Sequence, residues 1–208
     1  MEVVPRPCSP SPLLSLSFLA ILNSCRNESL EMIRRNEVME IFLINRKTWK
    51  FSPLHFSIDN NQGQALYRPE YTLTKHGNYT TGFVLKEITS GRLVGQASKV
   101  KPTKPDHQVQ TSTGFSFRLY KHGFSRAIDL PGFTIQGDLW ILNFRLIQNA
   151  DDQVLADICH SLQFIKDSIQ VSLYNQAYRD FVLTLVADVL YFNADGYLKP
   201  DLNNSNSY

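Results

Sequence analysis

The chain has 208 residues, 43% of them apolar and 19% charged, with a formal net charge of +2. That length holds one domain comfortably and two poorly, and so low a charge excludes charge-rich disorder for the body of the chain. Aromatics at 12%, with 13 Phe and 9 Tyr, favour sheets, where flat rings pack across strands.

Residues 1–38 open with Pro5, Pro7, Pro10 and Pro12, an apolar run Leu13–Leu22 and a charged stretch Arg26–Glu40. The run suits a signal-peptide core and is too short to cross a bilayer as a helix. Its flanks lack a basic start and a small-residue cleavage site. The expectation is a disordered leader or an upstream extension, with Met39 as the true start; secretion through residues 13–22 is the minor alternative. Cys8, Cys25 and Cys159 form neither a metal spacing nor a redox pair, which suits a reducing compartment. Asn27, Asn78 and Asn203 head glycosylation-type triplets, short matches that carry little weight.

The first strand is expected over Met39–Asn45 and the second from Thr48 to Ile58, closed by the turn Asp59–Gly63 with Gly63 at positive φ. Gln64–Arg68 completes that hairpin. Tyr71–Lys75 is extended. Thr80–Ile88 and Arg92–Val100 form a second hairpin about Thr89-Ser90-Gly91. Pro102 and Pro105 lack an N–H for a ladder, so Lys101–Gln110 reads as a loop. Phe115–Tyr120 alternates as a strand, Ile135–Ile147 holds a less cleanly divided hairpin, and Gln153–His160 and Ser168–Tyr174 are the last strands.

The period then changes. Ala177–Phe192 runs without Gly or Pro, and from Phe181 onward only Thr184 and Asp188 are polar. A helix apolar all round is buried all round, and this one is too short and too interrupted to span a membrane. The expected home is the inside of a closed antiparallel β-barrel, which also removes the edges that so many strands expose. Asp188 is expected at the barrel mouth, bonded to backbone N–H groups or a strand arginine in a structural role. A flexible polar tail, residues 195–208, is expected to follow the domain at 39–194.

This order of parts resembles the tubby C-terminal-like superfamily, which includes tubby domains, phospholipid scramblases and LURP-one-related proteins. The likeness rests on three stretches: Phe56-Ser57-Ile58-Asp59 with Gly63 and Leu66-Tyr67-Arg68; Phe83–Ile88 with Ser90-Gly91-Arg92-Leu93; and Ser172–Asn175 followed by Ala177–Phe192. It covers about residues 40–194 and is also similar to a fungal branch of that superfamily. The resemblance implies a barrel of twelve strands threaded by the hydrophobic C-terminal helix. The basic pair of the tubby phosphoinositide site does not map onto named positions, and the apolar run 13–22 lies at the wrong end to match a scramblase membrane helix.

Catalytic chemistry finds no foothold. His55, His76, His107, His122 and His160 are scattered without ligand spacing. Cys159 and His160 face opposite ways on a strand, and Cys159 reads as a small core residue. Asp151, Asp152 and Asp157 lack EF-hand spacing; they read as a solvated turn leading into a strand. No phosphate loop and no recognition helix for nucleic acid is present. No catalytic residue, metal or cofactor is expected.

Residues 1–104 carry 14 Lys/Arg against 8 Asp/Glu, residues 105–208 only 7 against 11. Within the basic half, Lys86, Arg92, Lys99, Lys101 and Lys104 lie on adjacent strands and the following loop, a candidate patch for an anionic lipid headgroup. The bland reading is that they solubilise the surface and guard the ladder's exit. The expected function is a non-enzymatic binding or adaptor domain. It would be cytoplasmic, peripheral at a membrane and monomeric, with an anionic membrane lipid or another protein as partner and no nucleic acid. The alternative is a structural or regulatory domain acting through protein contacts alone; an enzyme ranks last.

Overall fold

The computed structural model describes residues 40–46, 56–73, 80–101, 104–122, 125–163 and 166–195. They all lie in the second of two compact units, 38–208. The leader 1–38, most of the strand expected over 48–58, the three glycosylation-type asparagines, Cys8, Cys25, His55, His76 and the tail 196–208 lie outside the described residues.

Among the described residues twelve strands precede one helix: β1 Glu40–Arg46, β2 Phe56–Asn60, β3 Ala65–Leu73, β4 Thr80–Glu87, β5 Leu93–Lys99, β6 Asp106–Thr111, β7 Ser116–His122, β8 Ser125–Asp129, β9 Phe133–Asp138, β10 Asn143–Gln148, β11 Gln153–Gln163 and β12 Lys166–Leu173. Helix α1, Arg179–Asp195, follows a single 3-10 turn whose start is capped by the Asn175 side chain. The strands form one antiparallel sheet in the order β8-β7-β6-β5-β4-β3-β2-β1-β12-β11-β10-β9. Apart from β1 with β12, every ladder joins strands consecutive in the chain, and that pair runs from Glu40 opposite Leu173 to Asn45 opposite Ser168.

The expected closed barrel is not what forms. β8 and β9, consecutive in sequence, are the two edges of the sheet and make no ladder with each other. The chain between them, Leu130-Pro131-Gly132, contains a proline with no N–H to donate, and Gly132 turns it at a φ of 84°. Both edge strands are mostly exposed, so little apolar area would be gained by zipping them together. Side chains carried by the helix bridge the two edges instead. Phe133 of β9 packs on Phe181 with ring centroids 4.6 Å apart, and Phe181 also meets Phe117 of β7. At the other end of α1, Asn193 donates to the Trp140 carbonyl at 2.8 Å and accepts from Arg126 of β8 at 2.6 Å.

The helix itself is buried on every side. Phe181, Val182, Leu183, Leu185, Val186, Ala187, Val189, Leu190, Tyr191 and Phe192 all belong to the core. An open sheet therefore covers α1 as fully as a closed one would, because it curls about the helix and meets it with inward residues such as Ile44, Ile58, Phe83, Leu85, Leu119 and Leu146. Gly95 lets β5 come so near that any Cβ there would overlap the Thr184 side chain. No helix among the described residues is long and apolar enough to cross a membrane.

Two strands escaped the sequence pattern. β6 occupies much of the expected loop 101–110; its inward positions are His107, Val109 and Thr111, so the alternation holds a single apolar residue. β8 is short and largely exposed. The segments expected at 64–68 and 71–75 meet in one strand, Ala65–Leu73, through Pro69, which lies beyond the last β2–β3 pair, Ile58 with Tyr67, so that ladder does not need its N–H. Gly63 and Gly91 sit at φ 78° and 68° in their hairpin turns.

A candidate basic surface at the end of the helix

Contacts along α1 define the two ends of the sheet. Its first turn meets the β4–β5 and β6–β7 turns: Arg92 donates to both Asp180 oxygens, at 2.5 and 3.2 Å, and the Ser112 hydroxyl donates to Oδ2 at 2.7 Å. Its last turns meet the end of β5, the start of β6 and the β9–β10 turn through Tyr191, Asp188 and Asn193. Lys86 and Arg92 thus stand at the helix's N-terminal end, and Lys99, Lys101 and Lys104 at its C-terminal end. The seven residues of β5 put about 20 Å between the two groups.

The N-terminal pair is engaged. Lys86 Nζ bonds Glu70 at 2.7 Å across β3 and β4, both side chains nearly half exposed, and that bond holds the Glu70 carboxyl below its ordinary pKa. Arg92 clamps the helix start and also reaches Glu87 at 3.4 Å. Burial acts to raise the pKa of Asp180, but hydrogen bonds from Arg92 and Ser112 outweigh it, and the carboxyl is held below its usual range. An acid in the first turn also answers the helix dipole.

At the other end the cations face outward. Lys101 and Lys104 are exposed, held side by side by a bond from the Lys104 N–H to the Lys101 carbonyl at 3.1 Å. Among the described residues neither has an ion-pair partner. Asp106, the next acid along the chain, is gripped by Arg118 through bonds of 2.7 and 2.6 Å, which keep its pKa low. Lys99 is half-buried and lies 5.9 Å from the Tyr191 ring centroid, a cation–π distance. The Lys121 N–H donates to the Pro105 carbonyl at 3.2 Å, joining β7 to the same loop. Exposed Lys121 and Arg126 complete the rim. The signal for these last two was present in the sequence, but their place beside Lys101 follows only from the unforeseen β6 and β8.

Asp188 is not at a mouth. It is fully buried, its Oδ1 2.9 Å from His107 Nδ1, itself fully buried. His107 also packs against Tyr191 and Phe192, at 4.8 and 5.0 Å between centroids. An imidazole from β6 meets the carboxylate through Oδ1, and the pair ties α1 to the sheet with no face open to a reactant. Of the other candidates, Cys159 is half-buried on β11 and free of a disulfide rather than a core residue, and His160 Nδ1 lies 3.1 Å from the Ile141 carbonyl. Asp157 accepts from Arg145 and Tyr174, at 2.9 and 2.7 Å. Asp151 and Asp152 stay in an exposed turn. No group of three His, Cys, Asp or Glu side chains able to hold a metal ion occurs among the described residues.

Comparison with known proteins places the fold and leaves the activity open. No family model matches the chain, and no curated protein matches it either. A solved X-ray structure of a protein from Arabidopsis thaliana is similar, with a TM-score of 0.53 and 17% identity over 76% of this chain and 93% of that one. At that identity the likeness is one of fold alone.

Proposed function

We propose that this chain is a binding domain, not an enzyme, and that it docks on anionic phospholipid headgroups through the basic rim at the C-terminal end of α1. The observation that carries this reading is the outward cluster Lys101 and Lys104, with no ion-pair partner among the described residues and backed by Lys99. The nearest acid in sequence, Asp106, is already neutralised by Arg118. Each lysine held near a membrane surface of negative potential contributes about 1 kcal/mol. Lys86 and Arg92 belong to the opposite end and act there as structural ion pairs.

A second reading, protein contact alone, draws on the unpaired edges β8 and β9, where a partner strand can add to the sheet. Co-sedimentation with vesicles containing about a third anionic lipid, at ~0.15 M salt, separates the two. The parent should bind, and the variant Lys99→Glu/Lys101→Glu/Lys104→Glu should lose at least tenfold, while Lys86→Glu should not. A parent that ignores anionic vesicles sinks the lipid reading and leaves the strand-addition one.

A further inference from the structure

The rim that carries the lysines also carries apolar tips. Among the described residues five large hydrophobic side chains are exposed, and three of them, Leu73 at 56%, Val100 at 51% and Ile141 at 56%, sit at the helix's C-terminal end. Single exposed apolar residues are ordinary. Their shared placement is what matters: Leu73 is the last residue of β3, Val100 follows β5 directly, and Ile141 lies in the β9–β10 turn.

The register brings the first two together. Leu73 stands opposite Thr80 and Ser98 opposite Gly82, so the start of β4 has Leu73 on one side and Val100 on the other. Two strand spacings put them about 10 Å apart. Val100 is flanked in sequence by Lys99 and Lys101. Its N–H is bonded to the Asp106 carbonyl at 2.8 Å, so the backbone holding the tip is fixed. Ile141 is anchored likewise, its N–H and that of Trp140 donating to Asp138 at 3.3 and 2.8 Å. Tips of Leu, Val and Ile gathered at one end of the sheet, those of Val100 and Ile141 on bonded backbone and Val100 between two lysines, match an interface in which apolar groups enter the acyl boundary and cations stay at the headgroups.

We infer that the domain docks end-on: the C-terminal end of α1 points at the bilayer, and Leu73, Val100 and Ile141 insert below the phosphates that the lysines contact. This rests on the lipid reading above and adds to it a depth and an orientation. The opposite end is unsuited to that role. Its exposed apolar residues, Ile88 and Leu93, flank a turn whose acid and base, Glu87 and Arg92, are paired with each other, and the exposed acids Asp151 and Asp152 occupy another turn there.

The test uses the full chain and vesicles of phosphatidylcholine and phosphatidylserine at about three to one. Leu73→Ser/Val100→Ser/Ile141→Ser should weaken binding at least tenfold, since withdrawing one such side chain from an apolar phase is worth about tenfold. It should also abolish the part of the parent's binding that survives ~0.5 M salt, where lysine attraction is screened. Ile88→Ser/Leu93→Ser should bind as the parent does. In a second measurement, Val100→Trp/Trp140→Phe should gain a blue-shifted emission component, quenched by brominated acyl chains, that Trp140→Phe alone lacks. If the lysine variant loses binding while the triple serine variant keeps it, or the tryptophan stays unquenched on bound protein, the end-on insertion is wrong and the lipid reading stands. If the parent does not bind at all, both fall.

Discussion

Two buried acids on one helix have different partners, and the difference can be read in the chemistry of acid unfolding. Asp180, in the first turn, is held below its ordinary pKa by Arg92 and Ser112 against the opposing effect of burial. A carboxyl with a depressed folded pKa stabilises fully above its unfolded pKa, and that contribution is lost as pH falls through the folded one. Urea denaturation should therefore show stability falling below about pH 4. Asp180→Asn should flatten that part of the profile and cost about 1–3 kcal/mol at neutral pH, nearer the lower figure because Arg92 can return to water. A mutant that keeps the parent's acid slope would show that other carboxyls set it. Asp188, two turns on, is matched with His107 instead; a polar residue at an inward strand position is the trace such a match leaves in a sequence. That trace stayed hidden because His107 sits among the polar residues of a segment flanked by prolines.

At the scale of the element, α1 was the most legible part of the chain. An apolar run with no polar stripe has one physical solution, burial on all faces, and the structure places Leu185 and Leu190 in the core although they do not share a face. Truncating either to Ala should cost about 2–5 kcal/mol, measured by chemical denaturation. If one of the two proves neutral, the sheet does not cover that side. Strands whose inward residues are aromatic or branched, such as β4 with Phe83 and Leu85, were equally plain. β6 and β8 were not, because the first has polar residues at two of its three inward positions and the second is scarcely buried. Placement of the basic residues suffered most from this. Lys101 and Lys104 gain Lys121 as a neighbour only through β6 and the Pro105 bond to β7, while the seven residues of β5 set Lys86 and Arg92 apart from them.

For the whole molecule, the question that alternation could not answer was whether the two edges meet. Hydrophobic pattern says which face of a strand is inward and leaves the pairing of first and last edges to backbone geometry. Here Pro131 and the exposed character of β8 and β9 leave them apart. Amide exchange should accordingly be fastest among the strands in β8 and β9 and slowest in α1 and the β1–β12 ladder. Uniform protection around the sheet would mean the edges are sealed in solution. The order of parts carries another consequence, for synthesis. A ribosome delivers all twelve strands before the helix, and the inward faces of Phe83, Leu85, Val94, Phe117 and Leu119 have nothing to lie against until α1 emerges. Folding cannot then proceed piecemeal from the N-terminal side, as it does where each hairpin adds to a finished core. The nascent sheet is a trough waiting for its filling. A premature stop anywhere before the last turns of α1 should yield an aggregating chain, not a smaller working domain.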